Sequence, residues 1–114
     1  YSKAYKAKNK IVSIIEKYNG FSESAEEEVN KDLYNIGYRS NRLDKKCKDF
    51  GENSELLHEA GTGRYDYCVY IVNTSRGAYY HVITYMHFDI PIIGEYMNFA
   101  VEGDSRTIYE GMVG

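Results

Sequence analysis

The sequence of 114 residues contains no tryptophan, one proline and two cysteines, and it lacks any long hydrophobic run. A membrane-spanning helix needs about 18 or more consecutive apolar residues, and no window approaches that length. Positive charge is not in excess either, since the formal net charge is −3 and the sequence pI is about 5.6. Binding to nucleic acid requires clustered Lys and Arg, so we expect no nucleic-acid partner. This length predicts a single soluble domain over residues 1–114.

Recognisable catalytic and cofactor motifs are also lacking. The serines have no flanking signature of a strained nucleophile turn. The Gly-Thr-Gly-Arg segment at 61–64 precedes a strand instead of opening a helix, so it does not form a phosphate-binding loop. The two cysteines lack the close C-x-x-C pairing of structural zinc sites. We therefore predict that the protein is not an enzyme and has no cofactor and no metal ion.

The three histidines do not form an obvious cluster in the sequence. His81 and His87 fall on one face of a predicted strand, but six residues of extended chain separate them by roughly 20 Å, too far to share one ion. His58 is followed directly by Glu59. Solvated or half-packed histidines are the expectation, and acid–base or metal chemistry is the less favoured alternative.

The opening segment has the apolar spacing of a helix but the wrong charge for a helix start. Four lysines lie within the first ten residues, where the positive pole of the helix dipole makes each unfavourable by roughly a few tenths of a kcal/mol. No N-cap residue followed by Glu is present. We expect the helix to begin upstream of Tyr1 and to end near Tyr18 or Asn19, before Gly20. Its predicted packing face consists of Ala4, Ala7, Ile11, Ile14, Ile15 and Tyr18.

A second helix is predicted to open at Ser24, because Ser24 and Glu27 have the spacing of a capping box. Gly37 is expected to close it. The predicted inward face is Ala25, Val29, Leu33 and Ile36.

The polar, Gly-rich residues 38–64 predict a long irregular connection with a short turn of helix at 54–60. Cys47 lies in this connection and Cys68 in the strand that follows. If the domain is exported, a Cys47–Cys68 disulfide would tie the connection to the sheet and contribute about 3 kcal/mol. The alternative is two thiols in a cytosolic protein, with Cys68 a small core residue.

The second half reads as strands, with 65–72 and 78–88 forming a hairpin around a turn at 73–77. Tyrosine is abundant, with 13 residues against four phenylalanines, which favours strands with amphipathic faces and surfaces for partners. Alternation along 78–88 separates two sets of residues. One set is Tyr80, Val82, Thr84, Met86 and Phe88. The other includes the candidate partner surface Tyr79, His81, Tyr85 and His87.

Pro91 interrupts this pattern because it cannot donate to a strand ladder, and residues 97–101 resume as a third strand. Residues 103–109 form either a turn with a fourth strand or a bulge in one long strand, and the sequence leaves both open. The predicted fold class is α+β: an N-terminal helix packed on a three- to four-stranded antiparallel sheet, with a pilin-like layout.

A family resemblance follows from the order of these segments. It is carried by the helix sequence at 8–17, Gly20, Leu33 with Gly37-Tyr38, the strand at 80–88 running into Ile-Pro-Ile-Ile at 90–93, and Val-Glu-Gly-Asp-Ser at 101–105. In this the chain resembles TadE-like pseudopilins of Gram-positive bacteria, which are similar to components of tight-adherence and type IV pilus-like systems. The resemblance covers most of the chain. It implies a hydrophobic helix upstream of residue 1, in the membrane or a filament core, and a globular part outside the cell.

The sequence thus leads to three functional hypotheses. The first is an exported, membrane-anchored pilin-like structural protein of a pilus or secretion-type system, with other pilin-like subunits as partners. The second is an extracellular binding module with a Tyr-rich surface for a ligand or partner. The third is a cytosolic enzyme or regulator, which would need reduced Cys47 and Cys68 and a cleft that gathers the histidines.

Overall fold

The computed structural model describes residues 2–38, 47, 51–59, 65–90 and 95–109, and at 86–90 and 95–99 it describes the backbone. Two helices precede an antiparallel sheet, as predicted for the fold class. The elements are α1 (Ser2–Tyr18), α2 (Glu23–Ile36), β1 (Ser54–His58), β2 (Cys68–Asn73), β3 (Gly77–Ile90), β4 (Glu95–Asp104) and β5 (Ile108–Tyr109).

Helix α1 buries the predicted stripe except at its last position. Ala4, Ala7, Ile11, Ile14 and Ile15 are all at most 3% exposed. Tyr18 was predicted to pack with them, but it is 38% exposed because its hydroxyl donates to Glu28 Oε1 at 3.0 Å on the outer surface. The helix ends where predicted: Asn19 takes a left-handed conformation at φ 54°, and the Gly20 amide donates to the Ile15 carbonyl.

Helix α2 begins earlier than predicted. Its N-cap is Ser22, not Ser24, and the Ser22 hydroxyl accepts from the Ala25 amide at 3.2 Å. Ser22 suits this role because its extended backbone lets the side chain accept from a free amide of the first turn. Glu23 and Glu26 then lie in the first turn, where negative charge is favourable. Gly37 closes the helix as predicted, at φ 84°, a conformation that glycine adopts without strain.

The two helices lie antiparallel on one face of the sheet. Lys17 pairs with Glu28 at 3.2 Å and Lys10 with Asp32 at 3.9 Å, so residues late in α1 meet residues early in α2. The buried side of α2 is Ala25, Val29 and Leu33, which join the same apolar cluster as the α1 stripe.

The sheet has four strands side by side in the order β1-β2-β3-β4, with β5 also paired to β3. The predicted irregular connection, with its short turn of helix at 54–60, instead contains β1 at Ser54–His58, which pairs with β2. The alternation of half-buried and exposed residues in β1 has the period of a strand. A helix of so few residues would also be marginal on its own.

Residues 103–109 combine the two predicted alternatives, because β4 is long and a short further strand, β5, follows it along β3. β4 follows β3 up to the pair of His81 with Asp104, and Ser105 then exchanges hydrogen bonds with the backbone of Tyr80. β5 pairs Ile108 with Ala78, which is one residue out of the β4 register. This one-residue slip is a bulge between a long strand and a short one.

The main core lies between the helices and the sheet. Tyr80 and Val82 of β3, Val69 of β2 and Val101 of β4 are buried against the helical stripe. At the far end of the interface, the Thr84 hydroxyl donates to the Ala4 carbonyl at 2.8 Å. Within the described part of the chain, neither helix has the length and hydrophobicity to span a membrane.

Candidate functional site

The candidate partner surface lies on the sheet face that the helices leave uncovered, where Ile83 and Tyr85 belong to a second, smaller apolar cluster. Alternation along β3 places Tyr79, His81 and Tyr85 on this side. Tyr79 and Tyr85 are half-buried, whereas His81 is 7% exposed. His87 continues the same alternation, but its side chain lies outside the described part. Tyr79 and Tyr85 are therefore more accessible to a partner than the imidazole of His81.

The predicted disulfide joins Cys47 to Cys68, with their Cα atoms 6.1 Å apart. Cys68 is the first residue of β2 and is fully buried, while Cys47 is half-buried. The two cysteines pack with Tyr70 and Ile83, and Leu56 and Tyr85 lie at the margin of this cluster. We call this side of the sheet the disulfide face. The disulfide covers apolar side chains that neither α1 nor α2 reaches.

Tyr85 shields the disulfide. Its hydroxyl lies 3.3 Å from Cys68 Sγ, and because the sulfur of a disulfide carries no hydrogen, the hydroxyl is the donor. Burial, with smaller contributions from Glu102 and Asp66, raises the pKa of Tyr85. Tyr85 thus stays protonated and keeps this contact at neutral pH.

A buried histidine with two carboxylates lies beside the disulfide. His81 Nδ1 is 2.5 Å from Asp104 Oδ1, and His81 Nε2 is 2.8 Å from Glu102 Oε1. Strand register places these groups together, because β3 pairs His81 with Asp104 and Ile83 with Glu102. The Tyr70 ring lies 6.0 Å from the imidazole, centroid to centroid.

The geometry of this cluster fits an ion pair better than a catalytic device. A neutral imidazole donates from one nitrogen only, so both nitrogens can donate to ionised carboxylates only when the imidazole is protonated. In that form His81 has no free nitrogen to accept a substrate proton. No group of three or more His, Cys, Asp or Glu among the described residues is arranged to hold a metal ion. The cluster fastens the end of β4 to the centre of the sheet.

The sequence prediction missed Glu102 and Asp104 as partners of His81. Their spacing by two residues was a usable signal, because it places both on one face of a strand. The third strand was predicted over 97–101, and residues 103–109 were left open between a turn with a fourth strand and a bulge, whereas β4 runs to Asp104. A hairpin centred on the four residues between Ile90 and Glu95 would have predicted the pairing of 81 with 104.

Tyr38 fastens β3 where β2 no longer pairs with it. The β2–β3 ladder begins with Cys68 opposite Ile83, so the Tyr85 amide extends beyond it. That amide donates to the Tyr38 hydroxyl at 3.0 Å, and the hydroxyl donates to the Asp66 carbonyl at 2.6 Å. Burial raises the pKa of Tyr38 well above its usual range. The Tyr38 hydroxyl thus accepts from an amide of β3 that has no carbonyl partner on β2.

His58 forms an aromatic cluster on the helix side of the sheet. Its ring stacks on Tyr67 with centroids 3.8 Å apart and planes 2° apart, and Phe21 packs edge-on against both. His58 Nδ1 lies 2.9 Å from the Tyr67 carbonyl, so Nδ1 is the donor. The Tyr67 hydroxyl is buried and finds no hydrogen-bond partner among the described residues. Burial therefore raises the pKa of Tyr67 strongly.

Comparisons with protein-family models, with curated proteins and with solved structures found no match to this chain. Arguments about function therefore rest on the chain's own residues and their arrangement.

Proposed function

We propose that this domain is the globular part of an exported, membrane-anchored, pilin-like protein that acts by assembly and not by catalysis. The observation that carries the proposal is the way α1 is packed. The buried stripe of α1 begins in its first turn, at Ala4, which is 2% exposed. The helix then lies along the sheet over its whole length. A helix end with this packing is well placed to continue into an upstream hydrophobic segment.

The charge at the start of α1 supports this continuation. The first turn contains no acidic residue, and Lys3 and Lys6 are exposed. Lysines are unfavourable at the positive pole of a helix, but the pole moves away from them if the helix extends upstream. The lysines would then lie where an anchored helix leaves the apolar phase, next to anionic headgroups.

The Cys47–Cys68 disulfide supports export, because disulfides persist in oxidising compartments and are rare in the cytosol. It ties part of the connection between α2 and β1 to the sheet. In the proposed role the upstream helix contacts neighbouring subunits or lipid, and the sheet with its disulfide face remains outside the cell. This is the arrangement that the resemblance to TadE-like pseudopilins implies.

The complete gene product, expressed in its own host, tests the proposal. We expect it to stay with the membrane fraction after alkaline carbonate extraction and to be labelled on intact cells by an antibody against this domain. A run of about twenty apolar residues before Tyr1 is expected from the translated gene. Recovery in the cytosolic fraction without surface labelling would contradict the proposal.

The redox state of the cysteines is a second, independent readout. In denaturant without reductant, neither Cys47 nor Cys68 should react with an alkylating reagent, and both should react after reduction, as measured by intact mass. The Cys47→Ser variant is the matched control, because its single Cys68 thiol should react without reductant. Immediate alkylation of both cysteines in wild-type protein purified from the host would favour the cytosolic hypothesis.

The second candidate function is an extracellular binding module, and one observation favours it. Tyr34 is 71% exposed and Tyr5 is 47% exposed, which is unusual for large aromatic side chains and typical of contact surfaces. Both lie on the helices and not on the strands, where Tyr70 and Tyr80 are buried. Binding on a glycan array that is lost in a Tyr5→Ser, Tyr34→Ser variant, while the fold is retained, would support this candidate.

A further inference from the structure

The helical layer separates its charges along its length. The first three turns of α1 contain Lys3, Lys6, Lys8 and Lys10 and no acidic residue, whereas residues 22–28 at the start of α2 contain four glutamates and no basic residue. Because α1 and α2 are antiparallel, these two segments lie at opposite ends of the layer. At the rise of a helix, about 1.5 Å per residue, the ends are about 20 Å apart.

The intramolecular ion pairs leave both ends charged. Lys10 pairs with Asp32 and Lys17 with Glu28 across the two helices. Among the described residues, Lys3 and Lys6 at one end and Glu23, Glu26 and Glu27 at the other form no ion pair. All five of these side chains are exposed. The helix dipoles do not alter this polarity, because at each end the positive pole of one helix lies beside the negative pole of the other.

We infer that these two ends are complementary halves of a self-association surface, so that the basic end of one copy contacts the acidic end of the next. Such a contact joins two different patches, and because these lie at opposite ends of the helical layer, successive copies repeat head to tail in a linear array. Opposed charges fix orientation and register more than they add affinity. The inference rests on the proposed function, in which the upstream helix provides most of the binding energy and these ends set the axial spacing of subunits.

Zero-length carbodiimide cross-linking detects this contact directly. The reagent joins a lysine to a carboxylate only when the two groups touch, and Lys3 or Lys6 cannot reach Glu23, Glu26 or Glu27 within one molecule. The domain is cross-linked at high concentration in low salt as an equal mixture of ¹⁴N- and ¹⁵N-labelled protein, and the linked peptides are identified by mass spectrometry. The Lys17–Glu28 pair, 3.2 Å apart, is the internal positive control.

The expected result is mixed-isotope peptides that link the start of α1 to the start of α2. They should disappear in about 1 M NaCl, where the Debye length is only about 3 Å. Variant Lys3→Glu, Lys6→Glu and variant Glu23→Lys, Glu27→Lys should each lose the intermolecular links. The fourfold variant carrying both sets of changes keeps the net charge of the wild type and should regain them, with the roles of the two ends exchanged. Circular dichroism of each variant verifies that the helices are retained.

Absence of these links while the Lys17–Glu28 link forms would overturn the inference, as would links that survive charge reversal. The result is separable from the test of the proposed function. If the complete protein is anchored and surface-exposed but the links are absent, the inference fails and the proposed function stands. If the links form but the complete protein is cytosolic, the proposed function fails and the charged surface mediates a different association.

Discussion

The two faces of the sheet are protected from water by different means. On the helix side, 15 of the described residues, from both helices, the sheet and the segments next to them, are buried in one apolar cluster. On the disulfide face, the buried cluster comprises Cys68, Tyr70 and Ile83, with a covalent bond to Cys47 and the His81 ion-pair cluster beside it. Apolar packing is the main stabilising interaction on the first face, whereas the second also relies on a disulfide and on the contacts of His81 with two carboxylates.

This difference shows how the second face of a small sheet can be covered when the described helices, α1 and α2, both lie on the first. A sheet with one bare face usually presents polar residues there, and β3 instead places Ile83 and Tyr85 on that side. The disulfide places Cys47 against these side chains, so a residue distant in sequence from β2 and β3 covers part of this face. The helix side should therefore tolerate reduction, and the disulfide face should not.

Truncation of matched isoleucines gives the largest contrast between the faces. Ile15→Ala on the helix side should lower the free energy of unfolding by about 4 kcal/mol, because it opens a cavity in a fully packed cluster. Ile83→Ala removes the same atoms from the smaller cluster, which can relax toward solvent, and should cost about 2 kcal/mol. Urea denaturation measures both. Equal losses would show that the disulfide face is packed as tightly as the helix side.

Removal of the disulfide should affect one face selectively. The double variant Cys47→Ala, Cys68→Ala frees a loop of 21 residues in sequence separation and should lower the free energy of unfolding by about 3 kcal/mol. Hydrogen exchange should quicken at the start of β2 and at Tyr85, whose hydroxyl contacts Cys68. The amides of α1 should change only with global stability. Faster local exchange in α1 than in β2 would contradict the separation of the two faces.

The sequence predicted the helix side well because its elements follow local rules. The α1 stripe at Ala4, Ala7, Ile11, Ile14 and Ile15 recurs with the period of a helix, and Gly37 ends α2 in the left-handed conformation expected of it. The error at the start of α2 arose because Ser22 and Ser24 are both good caps and only the backbone decides between them.

The disulfide face was predicted less completely because it depends on register. The contact of His81 with Glu102 and Asp104 joins residues more than twenty positions apart, and it follows from the hairpin between β3 and β4. Residues 54–58 were assigned to an irregular connection with a short turn of helix because no nearby signal marks them as the partner of β2. Strand pairing is a long-range property that local propensity does not determine.

Two buried tyrosines of the helix-side cluster, Tyr38 and Tyr67, differ in how their hydroxyls are bonded. Tyr38 uses its hydroxyl in two hydrogen bonds, and Tyr67 has no partner for its own among the described residues. Tyr38→Phe leaves the Tyr85 amide unsatisfied and should lower the free energy of unfolding by about 2 kcal/mol. Tyr67→Phe removes a polar group that was already unpaired, so it should be neutral or slightly stabilising. Urea denaturation compares them, and an equal loss in both variants would reveal a partner for Tyr67.

The same two tyrosines predict that the stability of the fold decreases at alkaline pH. Burial raises the pKa of both above the value of about 10 expected in the unfolded chain. The unfolded state therefore releases these protons first, so stability is complete below about pH 10 and falls as the pH rises toward the folded-state values. Tyr67→Phe should make the fall shallower, because one of the titrating groups is gone. Stability that is independent of pH between neutrality and strongly alkaline solution would contradict this account.

The smallest effect on the free energy of unfolding is expected on the outer surface of the helices, where the charged groups cover neither face of the sheet. Hydrogen bonds from the Tyr18 hydroxyl and from Lys17 lower the pKa of Glu28, with Tyr18 the larger cause. A carboxyl group whose pKa is lowered in the folded state stabilises the fold at pH values above its ordinary pKa. This stabilisation is lost as the pH falls through the folded-state pKa. Carbon-13 NMR titration should show a larger rise in the Glu28 pKa for Tyr18→Phe than for Lys17→Gln. Because these groups are exposed, neither variant should shift the urea midpoint measurably, and a clear shift would mean that this rim adds to the stability of the helix side.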